Sequence, residues 1–289
     1  MADGREAIKS TDRVDGTATP KVRFEGVSKE FASRQGAKTR TVRALDDVSL
    51  SIREGEVVTL TGMSGCGKTT LLRVLMGLES ATSGTVYVNG TPIDGPGKDR
   101  AMVFQHAELF PWRSALANVE FGLELRGIRS AERHEIAGRY LRLVGLDESQ
   151  HLRPYELSGG MRQRVGMARA LAIEPDVLLM DEPFGALDAQ TRETLQSELL
   201  RIHAGDNRTI LFVTHDLDEA VLLADRVVMM APNPGRIHAI VDVDLPRPRP
   251  DAVELRASAE FGRIRAHLWR LLQEANSGAD ASQGVGDRR

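Results

Sequence analysis

The stretch TGMSGCGKTT at residues 61–70 places the tightest constraint on what this chain can fold into. Its glycines, lysine and threonine fit the phosphate-binding loop pattern G-x-x-x-x-G-K-[ST]. Glycine backbone can approach a phosphate closely, and successive N–H groups in such a loop form a nest for an anion. The pattern requires a strand before the loop and a helix after it. We therefore expect a buried strand over residues 56–61 and a helix that starts near Lys68 and stops at Gly77.

This loop predicts a site for ATP and Mg²⁺. Lys68 would bring a mobile positive charge to the β- and γ-phosphates, and the Thr69 hydroxyl would be a ligand of Mg²⁺. Cys66 is the single cysteine of the 289 residues, so the chain forms no internal disulfide, which favours a reducing compartment. The residues expected to contact the nucleotide at this loop are Gly62, Met63, Ser64, Gly65, Cys66, Gly67, Lys68, Thr69 and Thr70.

A second motif is an apolar run at residues 177–180 that leads into two adjacent carboxylates, Asp181 and Glu182. Strands of an α/β sheet present their C-terminal ends at the edge where such sheets bind ligands. Because side chains alternate along a strand, the two carboxylates point in different directions. We expect Asp181 to enter the Mg²⁺ shell and Glu182 to polarise the water that attacks the γ-phosphate.

A third motif, LSGGM at residues 157–161, precedes a basic amphipathic helix. Ser158, Gly159 and Gly160 form a second candidate phosphate cradle, made of a helix N-cap, bare backbone and the positive end of the helix dipole. One chain has no need of two γ-phosphate cradles. We therefore predict a head-to-tail homodimer, in which the Ser158 cradle of one subunit closes on the ATP held by the other.

Together the three motifs resemble the ATPase subunit of ABC transporters, over about residues 22–245. The LSGG motif ahead of the acid-tipped strand separates that family from other phosphate-loop ATPases. The alternation of strands and helices along the chain predicts an α/β fold with a mostly parallel sheet. The resemblance implies a phosphate-loop ATPase core of this kind, with an antiparallel β subdomain and a helical insert at about residues 107–160.

The resemblance also implies roles for single residues. Gln105 resembles the glutamine that senses Mg²⁺ and the attacking water, and His215 resembles the switch histidine that holds the γ-phosphate. Phe31 resembles the aromatic residue that stacks on adenine. A core position for Phe31 stays open, as does a shift of the stacking role to Arg34 or to the loop that ends at Arg40.

Two further positions belong to the contact between subunits that the resemblance implies. Asp188 closes the run FGALD, which resembles the loop that crosses to the other subunit. Met161 stands where the signature of the family commonly has glutamine. Since the cradle uses Ser158 and glycine backbone, we expect hydrolysis to survive this departure.

Four loop motifs, at residues 95–100, 109–113, 234–237 and 246–250, resemble the importer branch for nitrate, sulfonates and taurine. This finer resemblance implies uptake of a small anion through two separate membrane-spanning permease subunits, served by a periplasmic or lipid-anchored solute-binding protein. The helical insert would dock on the permease, with the apolar run Leu109–Trp112 as its contact. The same run fits the core of the insert equally well.

Composition narrows the choice of partners. A formal net charge of -3 offers no electrostatic argument for nucleic acid, and we predict no such partner. No apolar run approaches the roughly 18 residues of a membrane span, so a membrane role requires partner chains. The expected location is the cytoplasmic face of the inner membrane, with the chain bound peripherally.

Two other function classes lead to sequence features different from those of a transporter motor. A soluble ABC-type ATPase acting on DNA or ribosomes usually carries a long coiled-coil insert or two fused cassettes, and neither is visible in the sequence. A nucleotide-binding regulator without turnover predicts the loss of Glu182 or His215, and both residues are present.

Four segments are expected along the chain. Residues 1–20 form a disordered tail, 21–245 the ATPase domain, 246–274 a proline-rich linker with a C-terminal helix, and 275–289 a second disordered tail. Inside the domain, residues 32–40 are expected to form a basic loop between two strands.

Overall fold

The computed structural model describes residues 19–35, 38–249 and 252–283. The tail predicted for residues 1–20 lies outside the described part, except for residues 19 and 20, which have no regular structure. The strands, in chain order, are β1 (Val22–Gln35), β2 (Lys38–Ile52), β3 (Val57–Gly62), β4 (Ser83–Val88), β5 (Thr91–Pro92), β6 (Arg100–Val103), β7 (Val177–Asp181), β8 (Thr209–Val213), β9 (Arg226–Ala231) and β10 (Arg236–Asp242). The helices are α1 (Lys68–Met76), α2 (Ala115–Leu125), α3 (Ser130–Leu143), α4 (Gly159–Ala172), α5 (Ala189–Asp206), α6 (Leu217–Leu223), α7 (Ala252–Ala257) and α8 (Ala259–Gln283).

A six-stranded sheet in the order β10-β9-β3-β8-β7-β6 forms the centre of the molecule. Adjacent strands of this sheet run parallel, except that β10 pairs antiparallel with β9. Strands β3, β7 and β8 are buried along their whole length, as expected for a parallel sheet covered on both faces. The predicted α/β fold with a mostly parallel sheet is therefore confirmed.

A second sheet, in the order β2-β1-β4-β5, is antiparallel and forms the expected β subdomain. Its long hairpin corrects the prediction of a basic loop over residues 32–40. Backbone pairing between β1 and β2 continues from Ala32↔Thr41 to Gln35↔Lys38. Since ladder hydrogen bonds join backbone groups, a polar and basic sequence can still form this ribbon.

Helices α2, α3 and α4 form a helical insert between β6 and β7, and they pack against one another. Val119, Leu123, Leu141 and Val165 are all buried in the core that these helices share with the parallel sheet. Gly127, with φ 76°, lies between the end of α2 and the start of α3. The insert therefore comes directly after the strand that ends before Gln105.

The C-terminal helix α8 packs on α6 and β9 through Phe261, Ile264 and Leu268, which are buried. It continues to Gln283, so the prediction of a disordered tail from residue 275 is wrong for residues 275–283. Ala275 is 4% exposed, which shows that the helix still buries surface where the sequence had turned small and polar. Residues 284–289 lie outside the described part of the chain.

Within residues 19–35, 38–249 and 252–283, no helix combines the length and the apolar character that a membrane span needs.

Candidate active site

The phosphate loop connects β3 to α1, as the sequence predicts. Gly67 is the N-cap of α1 with φ 91°, a left-handed conformation. A Cβ on Gly67 would lie 2.7 Å from Cδ2 of Leu45 and 2.8 Å from the carbonyl oxygen of Ala44. Gly62, at φ 146°, is equally confined, because a Cβ there would lie 2.4 Å from the carbonyl oxygen of Met230. Both positions therefore require glycine for conformation and for space.

Lys68 lies beneath the loop rather than in solvent, with 6% of the residue exposed. Its Nζ donates hydrogen bonds to the carbonyl oxygens of Gly62 at 2.7 Å and Met63 at 2.9 Å. The ammonium group is thus held against two backbone carbonyls of the phosphate loop. A loop with this charge distribution attracts a phosphate.

The thiol of Cys66 is buried inside the same loop. Burial raises the pKa of Cys66 above that of a solvated thiol, and the nearby Lys68 ammonium acts in the opposite direction. Gly235 closes the loop from below, since a Cβ there would lie 2.3 Å from the carbonyl oxygen of Cys66. The sequence did not predict this contact, because residues 234–237 were identified there only as a loop motif.

The end of β7 brings Asp181 to the first turn of α1. Oγ1 of Thr69 donates a hydrogen bond to Oδ1 of Asp181 at 3.1 Å. Asp181 is 4% exposed, and burial raises its pKa, while the hydrogen bond from Thr69 partly opposes that rise. A hydroxyl and a carboxylate at this distance are hard oxygen donors of the kind that Mg²⁺ prefers beside substrate phosphates. The residues present therefore fit this ion.

Glu182 lies just beyond β7 in a backbone conformation that few residues other than glycine adopt. Its φ is 44°, and its backbone N–H donates to the carbonyl oxygen of Val213 at 3.0 Å. Two side chains converge on the same carboxylate oxygen. Nε2 of Gln105 donates to Oε2 at 3.4 Å, and Nδ1 of His215 lies 3.3 Å from it. A strained residue held from two sides is a common feature of active sites.

Gln105, Glu182 and His215 line one cleft together with part of the phosphate loop, and the volume of this cleft is about 390 Å³. The cleft joins the phosphate loop, the residue after β7 and the residues beyond the ends of β6 and β8. The sequence missed Ala44, because it comes from the β subdomain and carries no chemistry of its own. The lining residues are Ala44, Ser64, Gly65, Gly67, Lys68, Thr69, Thr70, Gln105, Glu182 and His215. An anion nest, a lysine and a carboxylate that can orient water are the parts that phosphoryl transfer to water requires.

The LSGG cradle lies apart from this cleft. Ser158 caps α4, and its Oγ accepts a hydrogen bond from the backbone N–H of Met161 at 3.2 Å. Ser158 and Gly159 are exposed, and Gly160 is half-buried. Asp188 caps α5 in the same manner, accepting from the Thr191 N–H at 2.9 Å, and this hydrogen bond lowers the pKa of Asp188.

Phe31 is also absent from the residues that line the cleft. Its ring is 38% exposed and carries the Lys29 ammonium 4.8 Å from its centroid. The ring is therefore on the surface of the β subdomain rather than in the core, and its stacking on adenine stays a prediction.

Comparison with known proteins agrees with this geometry. The family model described as ABC transporter matches residues 45–185. An uncharacterized ABC transporter ATP-binding protein of Methanocaldococcus jannaschii is 47% identical, covering 93% of this chain and 96% of the relative. The taurine import ATP-binding protein TauB of Rhizobium johnstonii is 46% identical, with coverage of 84% and 92%. The nitrate import ATP-binding protein NrtD of Synechococcus elongatus is 47% identical, with coverage of 78% and 82%.

The fold agrees as well. A solved dimeric ATP-binding cassette in a post-hydrolysis state, bound to ADP and Pi, matches with a TM-score of 0.71 and 31% identity, covering 77% of this chain and 98% of the solved one. Sequence similarity across nearly the whole chain, the cassette fold and the assembled cleft lead to one conclusion: the chain belongs to the ABC transporter family of ATP-binding proteins.

Proposed function

We propose that this chain is the ATP-hydrolysing subunit of an ABC importer, and that it powers uptake of a small anion such as an aliphatic sulfonate, taurine or nitrate. The observation that carries the hydrolytic part is the convergence of Gln105 and His215 on Oε2 of Glu182. This arrangement leaves Glu182 poised over the phosphate loop as the general base for an attacking water. Gln105 orients the carboxylate, and His215 contacts the γ-phosphate side.

ATP and Mg²⁺ occupy the cleft in this proposal. The loop N–H groups and Lys68 hold the β- and γ-phosphates, and Thr69 and Asp181 hold the metal ion, with Gln105 at its edge. When bound, Mg²⁺ neutralises charge on the phosphate oxygens. Phe31 stacks on the adenine from the β subdomain.

Two copies of the chain form the working unit. The exposed cradle at Ser158, Gly159 and Gly160 has a helix N-terminus and bare backbone, yet it faces no phosphate of its own chain. A second copy placed head to tail brings this cradle onto the ATP of the first, and Asp188 follows in the loop that crosses between them. The solved relative with ADP and Pi is dimeric, which supports this arrangement.

The helical insert supplies the contact with two membrane-spanning permease subunits. Trp112 is 69% exposed, and its ring lies beside that of Phe110, with centroids 5.5 Å apart and ring planes tilted by 43°. The loop that carries them is held by buried Asn118, which exchanges hydrogen bonds with the backbone of Phe110. An exposed tryptophan beside a half-buried phenylalanine, on a loop fixed by hydrogen bonds, suits a protein interface. Such a subunit lies at the cytoplasmic face of the inner membrane, and a periplasmic or lipid-anchored protein delivers the solute.

The class of solute rests on relatives whose names specify taurine and nitrate import. Growth of a host that lacks this chain tests it. Loss of growth on taurine or an alkanesulfonate as sole sulfur source identifies a sulfur importer, and loss on nitrate as sole nitrogen source identifies a nitrate importer. Normal growth on all of them would contradict the proposed solute class.

The hydrolytic assignment is tested by Glu182→Gln in the full-length chain. We expect phosphate release to fall by about 10²-fold or more, the range attributed to a general base. ATP binding should persist, and the variant should elute as an ATP-bound dimer in size-exclusion chromatography. Glu198→Gln is the matched control, because Glu198 is a partly exposed carboxylate paired with Arg201 on α5. Phosphate release at the wild-type rate in Glu182→Gln would refute Glu182 as the base.

The alternative, a soluble ABC-type ATPase with a partner unrelated to transport, is not favoured by the relatives. Purification from membranes distinguishes the two. Recovery of the chain with a membrane protein, and its loss after substitution of Trp112 by Ala, supports the importer. A chain recovered only with DNA or ribosomes would support the alternative.

A further inference from the structure

The segment of residues 104–108, which we call the Gln105 segment, is fastened to helix α4. Nε2 of Gln163 donates a hydrogen bond to the carbonyl oxygen of Phe104 at 2.9 Å. Two turns further along α4, the Arg169 guanidinium donates to the carbonyl oxygens of Glu108 at 3.0 Å and Ala107 at 3.1 Å. Both ends of the segment are thus held by one helix.

The middle of the segment lies directly against the backbone of α4. A Cβ placed on Gly166 would lie 3.4 Å from Cβ of Ala107, so the glycine lets the segment approach the helix closely. Strand β6 ends at Val103, immediately before the segment. The Gln105 segment therefore leaves the sheet and follows α4, although Gln105 itself lines the cleft.

Gln163 is the more deeply buried of the two α4 residues whose side chains hold the Gln105 segment. It is 2% exposed, so its amide is separated from water and its hydrogen bond to Phe104 has no solvent substitute. It lies five positions after Ser158, which caps the same helix from an exposed position. A displacement of the Ser158 end of α4 is therefore carried by a rigid helix to the residue next to Gln105.

We propose that Gln163 is a positioning residue that transmits the position of the Ser158 cradle to Gln105. In this role, the amide of Gln105 reaches Oε2 of Glu182 only when α4 holds Phe104 in place. Each subunit then senses through its own α4 whether its cradle has closed on the ATP of the second copy. This inference deepens the proposed function and rests on it for the identity of the cradle's ligand.

The variant Gln163→Met tests the hydrogen bond, because methionine has similar length and donates nothing. We expect kcat for ATP to fall by about tenfold, since misplacing a group near the reacting atoms by about 1 Å can cost ~10²-fold. KM should change by less than about twofold, because the phosphate loop is untouched. The double variant Gln163→Met with Gln105→Ala should be no slower than Gln105→Ala alone, because both changes remove one function.

The control for lost stability is Val165→Ala, because Val165 is fully buried on the same helix, whereas Phe104 packs against a different cluster of core residues. Thermal denaturation gives Tm for each variant, and turnover is measured well below the lowest value. We expect Val165→Ala to lower Tm and to keep kcat. Any of three results would overturn the proposal. The first is a smaller fall in kcat for Gln163→Met, and the second is a double variant whose loss of kcat is the product of the two single losses. The third is an equal fall in kcat for Val165→Ala.

A second measurement does not depend on turnover. The double variant Ala107→Cys with Gly166→Cys places two thiols where their Cβ atoms are 3.4 Å apart, close to the usual disulfide separation of roughly 3.8 Å. If the Gln105 segment moves with α4, the disulfide forms at the same rate with and without ATP and Mg²⁺, and turnover of the oxidised chain matches that of the reduced chain. Slower formation with ATP, or turnover that returns only on reduction, would overturn the proposal.

These outcomes are separate from those that test the proposed function. A wild-type chain without ATP turnover would refute the motor assignment, whereas the effect of ATP on the disulfide rate would still decide whether the segment moves with α4. A wild-type chain that hydrolyses ATP while Gln163→Met does so equally well would refute only the role of Gln163.

Discussion

Oγ1 of Thr69 donates a hydrogen bond to Oδ1 of Asp181 at 3.1 Å, across 112 residues of sequence. This contact joins the first turn of α1 to the end of β7, and it places two oxygen ligands side by side. The carboxylate is also nearly removed from water, with 4% exposure. A metal ion at this point therefore relieves an electrostatic cost that the protein bears without it.

Asp181→Asn should stabilise the chain at neutral pH when Mg²⁺ is absent. Because burial raises the pKa of Asp181 above 3.8, the folded chain holds this proton more tightly than the unfolded chain. The stability contributed by the protonated carboxyl is present below about pH 3.8 and is lost as the pH rises through the raised pKa. Removing the ionised group should raise Tm by a few degrees in a thermal melt at pH 7.

The same melts with ATP and Mg²⁺ provide the second half of this prediction. Wild-type Tm should rise on adding Mg²⁺ to the ATP complex, and the variant should show little of that rise. Asp176→Asn is the control, since the Asp176 side chain is 51% exposed, and its Tm should match wild type in both conditions. A lower Tm for Asp181→Asn without Mg²⁺ would contradict the prediction.

Gly67→Ala should abolish nucleotide binding. The substitution places Cβ 2.7 Å from Leu45 and 2.8 Å from the Ala44 oxygen, at a φ of 91°. We expect at least about a hundredfold loss of affinity for ATP, equivalent to roughly 2.7 kcal/mol, measured by titration of a fluorescent ATP analogue. Gly262→Ala is the matched control, because that glycine lies in α8 with open space around it. This variant should bind ATP as the wild type does, and its free energy of unfolding should rise by about 0.5–1 kcal/mol. Equal affinity in both variants would rule out this account of the loop.

Cys66 should react slowly with iodoacetamide in the folded chain. The thiolate is the reactive form, and burial raises the pKa of Cys66, so the thiolate fraction at pH 8 is lower than in the unfolded chain. Mass spectrometry after timed alkylation should show a rate at least about tenfold below that of the urea-denatured chain, and bound ATP should lower it further. A folded chain that reacts as fast as the denatured one would show that the loop is open to the reagent.

Arg249→Ala should destabilise the chain more than any exposed arginine. The Arg249 guanidinium donates to four carbonyl oxygens and so joins the segment before α7 to the end of α6. These oxygens belong to Leu222, Ala224, Leu245 and Pro246. Burial lowers the pKa of Arg249 to about 10. The loss should be about 2–3 kcal/mol in apparent free energy of unfolding, measured in urea, because four carbonyls lose a charged donor.

The comparison variant for this prediction is Arg263→Ala. Arg263 pairs with Glu260 on α8 and its side chain is 73% exposed, so its removal should cost less than about 0.5 kcal/mol. Equal losses for the two variants would show that the contacts of Arg249 at the end of α6 contribute no special stability.

Local patterns in the sequence were sufficient to predict the phosphate loop, because each of its requirements is met within a few residues. They also predicted the acid pair after β7, since an apolar strand that ends in Asp181 and Glu182 is a short signal. The sequence did not predict how Glu182 is aimed. Its φ of 44° and its contacts with Gln105 and His215 come from three strands that are distant in sequence.

The errors concern elements whose formation depends on packing rather than on pattern. Strand β10 was not predicted, because an edge strand with mostly half-buried residues has weak alternation. The sequence predicts a loop for residues 32–40 of the β1–β2 hairpin, because backbone pairing leaves no apolar signature. Helix α8 was ended too early, since the burial of Ala275 against the core cannot be read from a small, polar stretch.

The order of strands in the central sheet has a consequence for folding during synthesis on the ribosome. Strand β3, which leads into the phosphate loop, lies between β8 and β9, pairing Val57 with Ile210 and Val58 with Arg226. In a nascent chain, the phosphate loop is therefore synthesised long before β8 and β9, the two strands that pair with β3. Such long-range pairings form slowly, because distant segments must first be brought together. Nucleotide binding is thus a late event of synthesis, because β9 is the last strand to pair with β3 and the loop depends on β3.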